Sequence, residues 1–177
     1  MIAFLDIETS GFSITKNGIC EIALTVVDEQ LNPIDTFHTL IKPYTRSADT
    51  DELVSYKDDA MAINGLNVEK LIEQGTEVKQ VVFDIIDFIC KHNVKTIIGH
   101  NSNVFDLPRV DYLMKRFSND SLVLANTQDT MIIAKQKLNL PSYSLENLCL
   151  HFGIINDKQH SAKSDVLATI ELYKKLI

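Results

Sequence analysis

The first ten residues, MIAFLDIETS, combine an apolar run with two carboxylates. Side chains of a β-strand alternate between its faces, so residues 2, 4, 6 and 8 share one face and residues 3, 5 and 7 share the other. Both faces begin with apolar residues, which predicts a central strand covered on both sides. Asp6 and Glu8 then lie on one face, side by side at the end of this strand.

Two further strands are predicted from the pattern that follows. Residues 19–28 (ICEIALTVVD) are mostly apolar, and residues 34–42 (IDTFHTLIK) alternate between apolar and polar positions. Their short connections favour an antiparallel meander. His38 has polar neighbours and is predicted to lie at the surface. The polar stretch 43–57 predicts a long loop.

The rest of the chain alternates between helical and strand patterns. Apolar residues recur at spacings of three and four between residues 76 and 93, which predicts a helix with Thr76 as its N-cap. A buried strand is predicted at 95–99, and Ser144 and Gly153 are typical of the start and end of a helix. Other helices are predicted at 58–63, 67–73, 107–117, within 127–137 after a short strand or turn, and at 161–177. This order predicts a single α/β domain over residues 1–177 with a mixed sheet.

Composition and charge narrow the classes of function. The chain is 45% hydrophobic and 23% charged, as in ordinary globular proteins. No apolar run approaches the ~20 residues that cross a bilayer, so no membrane association is expected. The three scattered cysteines argue against a disulfide framework and predict a cytoplasmic location. A net charge of −7 disfavours a broad basic surface for nucleic acid, but it is compatible with an enzyme that meets phosphate through bound metal ions.

The carboxylates of the first strand are the first candidate for chemistry. No Lys or Arg precedes Lys16, so Asp6 and Glu8 lack a cationic partner nearby in the sequence. Burying an unpaired carboxylate is costly, and a divalent cation such as Mg²⁺ relieves that cost. The alternative is a pair of solvated carboxylates at a strand end.

Two later stretches supply further candidates. Functional groups in open α/β sheets collect at the carboxyl ends of strands, so Asp106 can reach the first strand if the strand at 95–99 is its neighbour. The alternative for Asp106 is a helix cap. Asp165 starts a mainly apolar stripe of the last helix, with residues 168, 169, 172 and 176, which predicts that it faces the core. His160 precedes this helix and can lie over the same site, although an exposed loop histidine is the alternative.

Taken together, these residues resemble the motifs of the DEDD exonucleases, the DnaQ-like branch of the ribonuclease H-like superfamily. The first motif, DxET, is similar to residues 6–9 (DIET), and the second, HNxxFD, is similar to residues 100–106 (HNSNVFD), which are one residue longer. The third motif, HxxxxD, is similar to His160 and Asp165, which indicates the histidine-bearing class, DEDDh. Residues 63–65 (ING), Asp129–Thr130 and residues 142–154 are also similar to the family.

The resemblance implies a ribonuclease H-like fold, in which three antiparallel strands and further parallel strands form a mixed five-stranded sheet flanked by helices. It also implies a 3′→5′ exonuclease that uses two Mg²⁺ or Mn²⁺ ions and releases nucleoside 5′-monophosphates. In that pattern Asp6 would bridge both ions, Glu8 and Asp165 would complete one site, and Asp106 would serve the other. His160 would accept a proton from the attacking water.

The family pattern further implies contacts to the substrate. The implied substrate-binding residues are Thr9, Gly11, Phe12, Ile63, Asn64, His100 and Asn101. For Phe12 and Ile63 the alternative is packing within loops. For His100 and Asn101 it is a role as hydrogen-bonded polar residues at a strand end.

Three hypotheses about function remain. The favoured one is a DNA exonuclease that acts on single-stranded or frayed 3′ ends, either free-standing or as a proofreading subunit with a polymerase as candidate partner. The second is the same chemistry on RNA. A protein distinguishes RNA from DNA by contacts to the 2′-hydroxyl, and no motif in this sequence indicates whether such contacts exist. The third is a non-catalytic, polymerase-associated module that binds nucleic acid, and the complete set of four carboxylates and His160 argues against it. The absence of a tail after the last helix favours a free-standing enzyme or an isolated domain.

Overall fold

The computed structural model describes residues 1–46, 51–118 and 126–177. Within these ranges one sheet has the strand order β3-β2-β1-β4-β5. The strands are β1 (Ile2–Thr9), β2 (Ile19–Val27), β3 (Pro33–Leu40), β4 (Thr96–Gly99) and β5 (Asn126–Asp129). β1, β2 and β3 pair antiparallel, whereas β4 pairs parallel with both β1 and β5. The predicted mixed five-stranded sheet is therefore confirmed.

Helices flank this sheet and agree with the predicted segments. They are α1 (Asp58–Asn64), α2 (Val68–Gln74), α3 (Val78–Lys91), α4 (Asp106–Ser118), α5 (Thr130–Lys137), α6 (Leu145–Phe152) and α7 (Ala162–Leu176). Ser144 caps α6 by accepting a hydrogen bond from the Asn147 amide, and Gly153 ends it at φ 66°. Both assignments were predicted from the sequence.

β1 lies at the centre of two hydrophobic layers. Its residues Ala3, Leu5 and Ile7 pack in one core with α3 and α4. Phe4, on the opposite face, packs in a second core with α7. The prediction of a central strand covered on both sides is confirmed, and Asp6 and Glu8 lie on the face that α7 covers.

The topology brings three distant stretches to one edge of the sheet. β1 and β4 are parallel neighbours, with Phe4 opposite Ile98, so their carboxyl ends meet. The loop after β4 leads directly to Asp106, the first residue of α4. α7 packs on β1 and β2 and carries Asp165 in its first turn. The predicted stripe of α7 is buried, including Asp165 with 9% exposure.

One local prediction needs correction. Thr76 does not cap α3, because the helix begins at Val78 with Glu77 in the cap position. The Thr76 hydroxyl pairs instead with the Thr39 hydroxyl at 2.9 Å, which joins this segment to β3.

Two further regions bear on the sequence predictions. In the predicted loop 43–57, residues 47–50 lie outside the described residues, and Thr45 bridges to Leu53 across that gap. In the described part of the chain, no helix has the length and apolarity to cross a membrane.

Candidate active site

The four candidate carboxylates and one histidine line a cleft of about 260 Å³ at the carboxyl end of β1, and Glu146 of α6 lines it as well. β1 supplies Asp6 and Glu8, the start of α4 supplies Asp106, and the first turn of α7 supplies Asp165. His160 lines the same cleft from the turn before α7. The structure therefore brings together the five residues to which the sequence motifs pointed.

Hydrogen bonds orient two of these carboxylates. Asp106 is 3% exposed, and its Oδ1 accepts a hydrogen bond of 3.1 Å from the amide of Ile7. The carboxylate is thus turned toward β1. Asp165 accepts hydrogen bonds from Asn156 Nδ2 at 2.5 Å and from the His160 amide at 3.1 Å. The turn before α7 and its first turn are consequently tied together at the cleft.

The crowding of negative charge changes the acidity of the whole group. Burial raises the pKa of Glu8 to about 8, with additional repulsion from Asp165. Burial also raises the pKa of Asp106 to about 7, although the Ile7 amide acts in the opposite direction. The pKa of Asp6 is raised well above its usual range by burial and then by Asp106 and Asp165. Burial raises the pKa of Asp165 as well. Without a cation, the site favours bound protons.

The donor set fits a divalent cation. Among the residues that the structure describes, none of the four carboxylates forms a salt bridge with Lys or Arg. Carboxylate oxygens are the ligands that Mg²⁺ and Mn²⁺ prefer. Glu8, His160 and Asp165 each offer a ligand atom, and these atoms lie within 4.8 Å of one another. A cation bound here would replace the protons that the raised pKa values retain.

His160 is held in an unusual backbone conformation. Its φ is 62°, a left-handed value that is uncommon outside glycine, and its side chain is exposed. The bond from its amide to Asp165 accompanies this conformation. The imidazole is thus presented to the cleft without sharing the helical face of Asp165.

A second cleft of about 160 Å³ adjoins the first, and Glu8 lines both. Its other walls contain most of the implied substrate-binding residues, namely Thr9, Gly11, Phe12, Ile63 and Asn64, together with Lys57, Asp59 and Ala60. The loop after β1 forms one wall and α1 forms the other. Asn64 joins the two walls, because its Nδ2 donates to the Thr9 carbonyl at 3.3 Å.

Two apolar side chains at this cleft are largely exposed. Phe12 is 80% exposed and Ile63 is 62% exposed, so most of each side chain is open to a ligand. Phe12 meets Phe105 edge to face, with ring centroids 6.3 Å apart. Arg109 lies beneath this pair, with its Cζ 3.7 Å from the Phe105 ring centroid. Its guanidinium donates to the carbonyls of Phe105 and Phe12 and thereby ties the two loops together.

Gly11 has a structural reason to be glycine. Its φ is 148°, and an added Cβ would lie 2.7 Å from the side chain of Asn17. Asn17 in turn binds the loop through Ser13 N, Ser10 O and Ser55 O. Any larger residue at position 11 would displace the wall of the second cleft.

His100 and Asn101 line the first cleft, but their polar groups are largely engaged. His100 Nε2 donates to the Tyr143 carbonyl at 2.9 Å, and its Nδ1 lies 2.8 Å from the Thr130 hydroxyl. The backbone amide of Asn101 donates to the Asp129 carboxylate at 2.9 Å, and Asn101 has a left-handed φ of 58°. For His100 the geometry favours the alternative of a hydrogen-bonded structural residue, while the Asn101 side chain stays a candidate for substrate contact.

Three residues at the site were missed by reasoning from the sequence. Asn156 and Arg109 gave no signal, because each acts through contacts that form only in the folded chain. Glu21 did give one, since it is the single charged residue within the mostly apolar strand β2. Its side chain is buried, and burial acts to raise its pKa. The pKa is nevertheless lowered, because the hydrogen bonds with His38 and Ser161 outweigh burial. His38 is exposed as predicted and is bonded to this carboxylate.

Comparison with known proteins places this architecture among nucleases. The model of the RNase_T family, described as exonuclease, matches residues 3–173. A DNA polymerase III of the PolC type from Thermotoga petrophila is 25% identical over 178 residues, which cover 98% of this chain and 12% of the polymerase. Ribonuclease T from Shewanella sp. (strain ANA-3) is 27% identical over 187 residues, which cover 98% of this chain and 80% of that enzyme.

The fold is also that of a solved nuclease. The structure of E. coli exonuclease I in complex with a dT13 oligonucleotide matches with a TM-score of 0.79 at 24% identity, over 98% of this chain. The match covers 40% of the exonuclease I chain. This chain therefore spans only a part of the polymerase and of exonuclease I.

Proposed function

The chain belongs to the RNase_T exonuclease family, in the DnaQ-like branch of the ribonuclease H-like superfamily, and we propose that it removes nucleoside 5′-monophosphates one at a time from the 3′ end of DNA. The observation that carries this proposal is the convergence of Asp6, Glu8, Asp106, Asp165 and His160 on one cleft. A second cleft of suitable size for a nucleotide base shares Glu8 with the first. The complete charged set argues against a non-catalytic binding module.

Two divalent cations, Mg²⁺ or Mn²⁺, are proposed for the first cleft. Asp6 would contact both, Glu8 and Asp165 would hold one, and Asp106 would hold the other. The close approach of the ligand atoms of Glu8 and Asp165 supports their assignment to a common ion. When bound, the ions supply positive charge that stabilises the attacking and leaving oxygens of the phosphodiester.

Side chains of the protein orient the reacting groups and remove a proton from the attacking water. We assign this proton transfer to His160 as general base, because its imidazole is presented to the cleft while its backbone amide is fixed to Asp165. Asn156 orients Asp165 through its side-chain amide. The 3′-terminal nucleotide would enter the second cleft, where Phe12 and Ile63 offer apolar surface to the base. Aromatic contact with a base is tolerant of sequence.

The preferred substrate is a single-stranded or frayed 3′ end. Both walls of the second cleft come from the chain itself, so a terminal base that occupies it cannot remain paired. The likeness to exonuclease I with bound dT13 concerns the fold, and it supports DNA as the first substrate to test. The same chemistry on RNA is the second candidate, because the sequence of ribonuclease T matches over most of that enzyme's length.

A polymerase is a proposed partner. The match to a short part of a PolC-type polymerase is the observation that favours such an association. The cytoplasmic location expected from the sequence stays a prediction.

The experiment is a degradation assay with 5′-labelled single-stranded DNA, duplex DNA and RNA, each with Mg²⁺, Mn²⁺ or chelator. The expected result is a ladder that shortens from the 3′ end, release of 5′-mononucleotides, and no cleavage in chelator. Asp6→Asn should be inactive, and Asp87→Asn, on the exposed face of α3, serves as the matched control. Early internal fragments, or activity that survives exhaustive chelation, would overturn the proposal.

A further inference from the structure

Glu21 is a further carboxylate close to the cleft, and the proposed reaction leaves it without a role. It is 5% exposed and lies directly opposite Glu8 in the antiparallel pairing of β1 and β2. Residues directly opposite each other in such a pair project from the same face of the sheet. Glu21 therefore stands on the face that α7 covers. In the described part of the chain, Glu21 differs from Glu8 because side chains from other elements hydrogen-bond to its carboxylate.

Two side chains bond to the Glu21 carboxylate. His38 Nε2 lies 2.7 Å from Oε1, and the Ser161 hydroxyl donates to the same oxygen at 3.2 Å. These bonds connect β2 with its neighbour β3 and with the start of α7.

The contact with Ser161 fixes the N-terminus of α7 to β2. Ser161 occupies the N-cap position of α7, yet its side chain makes no cap hydrogen bond within the helix. The hydroxyl is directed to Glu21 instead. An anion near a helix N-terminus is also favoured by the helix dipole. Glu21 thus holds the N-cap residue of α7 from a neighbouring strand.

The turn that Glu21 holds carries residues of the cleft. His160 directly precedes Ser161, and Asp165 lies in the first turn of α7. We propose that Glu21 is a positioning residue, which fixes the start of α7 to β2 and so sets His160 and Asp165 at the right distance from the carboxylates of β1. For catalysis this inference rests on the proposed exonuclease function. His38 would hold Glu21 in the required orientation.

A second effect of Glu21 has to be separated from the first. Its negative charge lies close to Glu8 and would attract a cation even if the contact with Ser161 were unimportant. Glu21→Gln removes the charge and one acceptor together. Glu21→Asp keeps the charge but withdraws the carboxylate by one methylene, and Ser161→Ala keeps the charge and removes one contact. Ser161→Thr keeps the hydroxyl and is the conservative rescue.

The kinetic test compares these variants at saturating Mn²⁺ on single-stranded DNA. Groups that orient the ligands of a metal typically contribute about 10–100-fold to activity or metal affinity, and we expect Glu21→Gln and Glu21→Asp to lower kcat by about that factor with little change in KM. Ser161→Ala should show a smaller loss, and Ser161→Thr should be close to the wild type. Thr25→Val is the matched control, because Thr25 lies on the same strand and face as Glu21, and its hydroxyl bonds to Thr36 of β3 at 3.0 Å.

A measurement without metal or substrate decides the structural half of the inference. Hydrogen exchange at the Asp165 amide, which donates to the Ser161 carbonyl at 2.9 Å and so closes the first turn of α7, is followed by NMR in chelator. It should be slow in the wild type and faster in Glu21→Gln. Exchange in the later turns of α7 should be unchanged, which shows that the variant is folded. Unchanged exchange at Asp165 would overturn the inference, whether or not the protein is a nuclease.

The two proposals fail in different ways. If the wild type degrades no nucleic acid, the proposed function fails, while exchange at the Asp165 amide still tests whether Glu21 fixes the start of α7. If Glu21→Gln loses activity but Glu21→Asp and Ser161→Ala retain that of the wild type, charge alone explains the loss and the positioning role is overturned. A loss in all three variants, with Thr25→Val active, supports it.

Discussion

Metal-free protein should become less stable as the pH rises toward neutrality, and Glu8→Gln should remove part of this dependence. Burial and the neighbouring carboxylates raise the pKa of Glu8 to about 8 in the folded protein, from 4.5. A group with a raised folded pKa retains its proton in the native state after the unfolded chain has released it. Its contribution is fully present below the unfolded pKa and is lost as the pH rises through the folded one.

The size of the effect follows from proton linkage. When the native state binds one proton more than the unfolded state, the free energy of unfolding falls by about 1.4 kcal/mol for each unit by which the pH rises. Between pH 5 and pH 7 the Glu8 contribution thus amounts to at most ~3 kcal/mol, which corresponds to roughly 5–10 °C in Tm for a chain of this size. Glu8→Gln cannot lose a proton, so its stability should fall less steeply. Asp106, with a pKa raised to about 7, keeps part of the slope in both proteins.

The assay is thermal and urea unfolding in chelator at pH 5, 6 and 7, with Glu73→Gln on the exposed side of α2 as control. The wild type and Glu8→Gln should be similar near pH 5, and the variant should be the more stable protein at pH 7. Saturating Mn²⁺ should remove the advantage of the variant, because the ion stabilises the ionised carboxylates. Parallel pH curves for wild type and Glu8→Gln in chelator would refute the reasoning.

Three other predictions concern single side chains. Asp6→Asn should abolish turnover and lose most of the stabilisation by Mn²⁺, which for the wild type is roughly 2.7 kcal/mol per site at a hundredfold excess over Kd. Thermal melts with and without Mn²⁺ measure this stabilisation, and equal shifts in both proteins would exclude Asp6 as a ligand. His160→Ala should lower kcat by roughly 10²–10⁴-fold while calorimetric Mn²⁺ affinity changes far less, and a full-rate variant would show a bystander. Arg109→Lys should raise KM by about tenfold, equivalent to about 1.4 kcal/mol, because lysine cannot hold the carbonyls of Phe12 and Phe105 together. Steady-state kinetics test this, and an unchanged KM would contradict it.

Much of this protein was determined by local sequence. The period-two pattern of β1 and the helical spacing within α3 and α7 depend only on which residues follow one another, so these elements were predicted correctly. The same holds for the cap of α6 by Ser144, which involves an amide three residues away. Thr76 shows the limit of this reasoning, because its hydroxyl found a partner on β3 instead of the adjacent helix.

The candidate site required the tertiary structure. The motifs indicated which carboxylates to expect, but their mutual repulsion and raised pKa values arise only when β1, α4 and α7 converge. Whether His100 is free or engaged depended on Tyr143, 43 residues away. Glu21 is separated from Ser161 by 140 residues, so no local pattern could reveal that it bonds to the N-cap residue of α7. Contacts between distant residues form only after packing has excluded water and placed the strands and helices against each other. For that physical reason, the local sequence determined the strands and helices, whereas the folded chain determined the chemistry of the cleft.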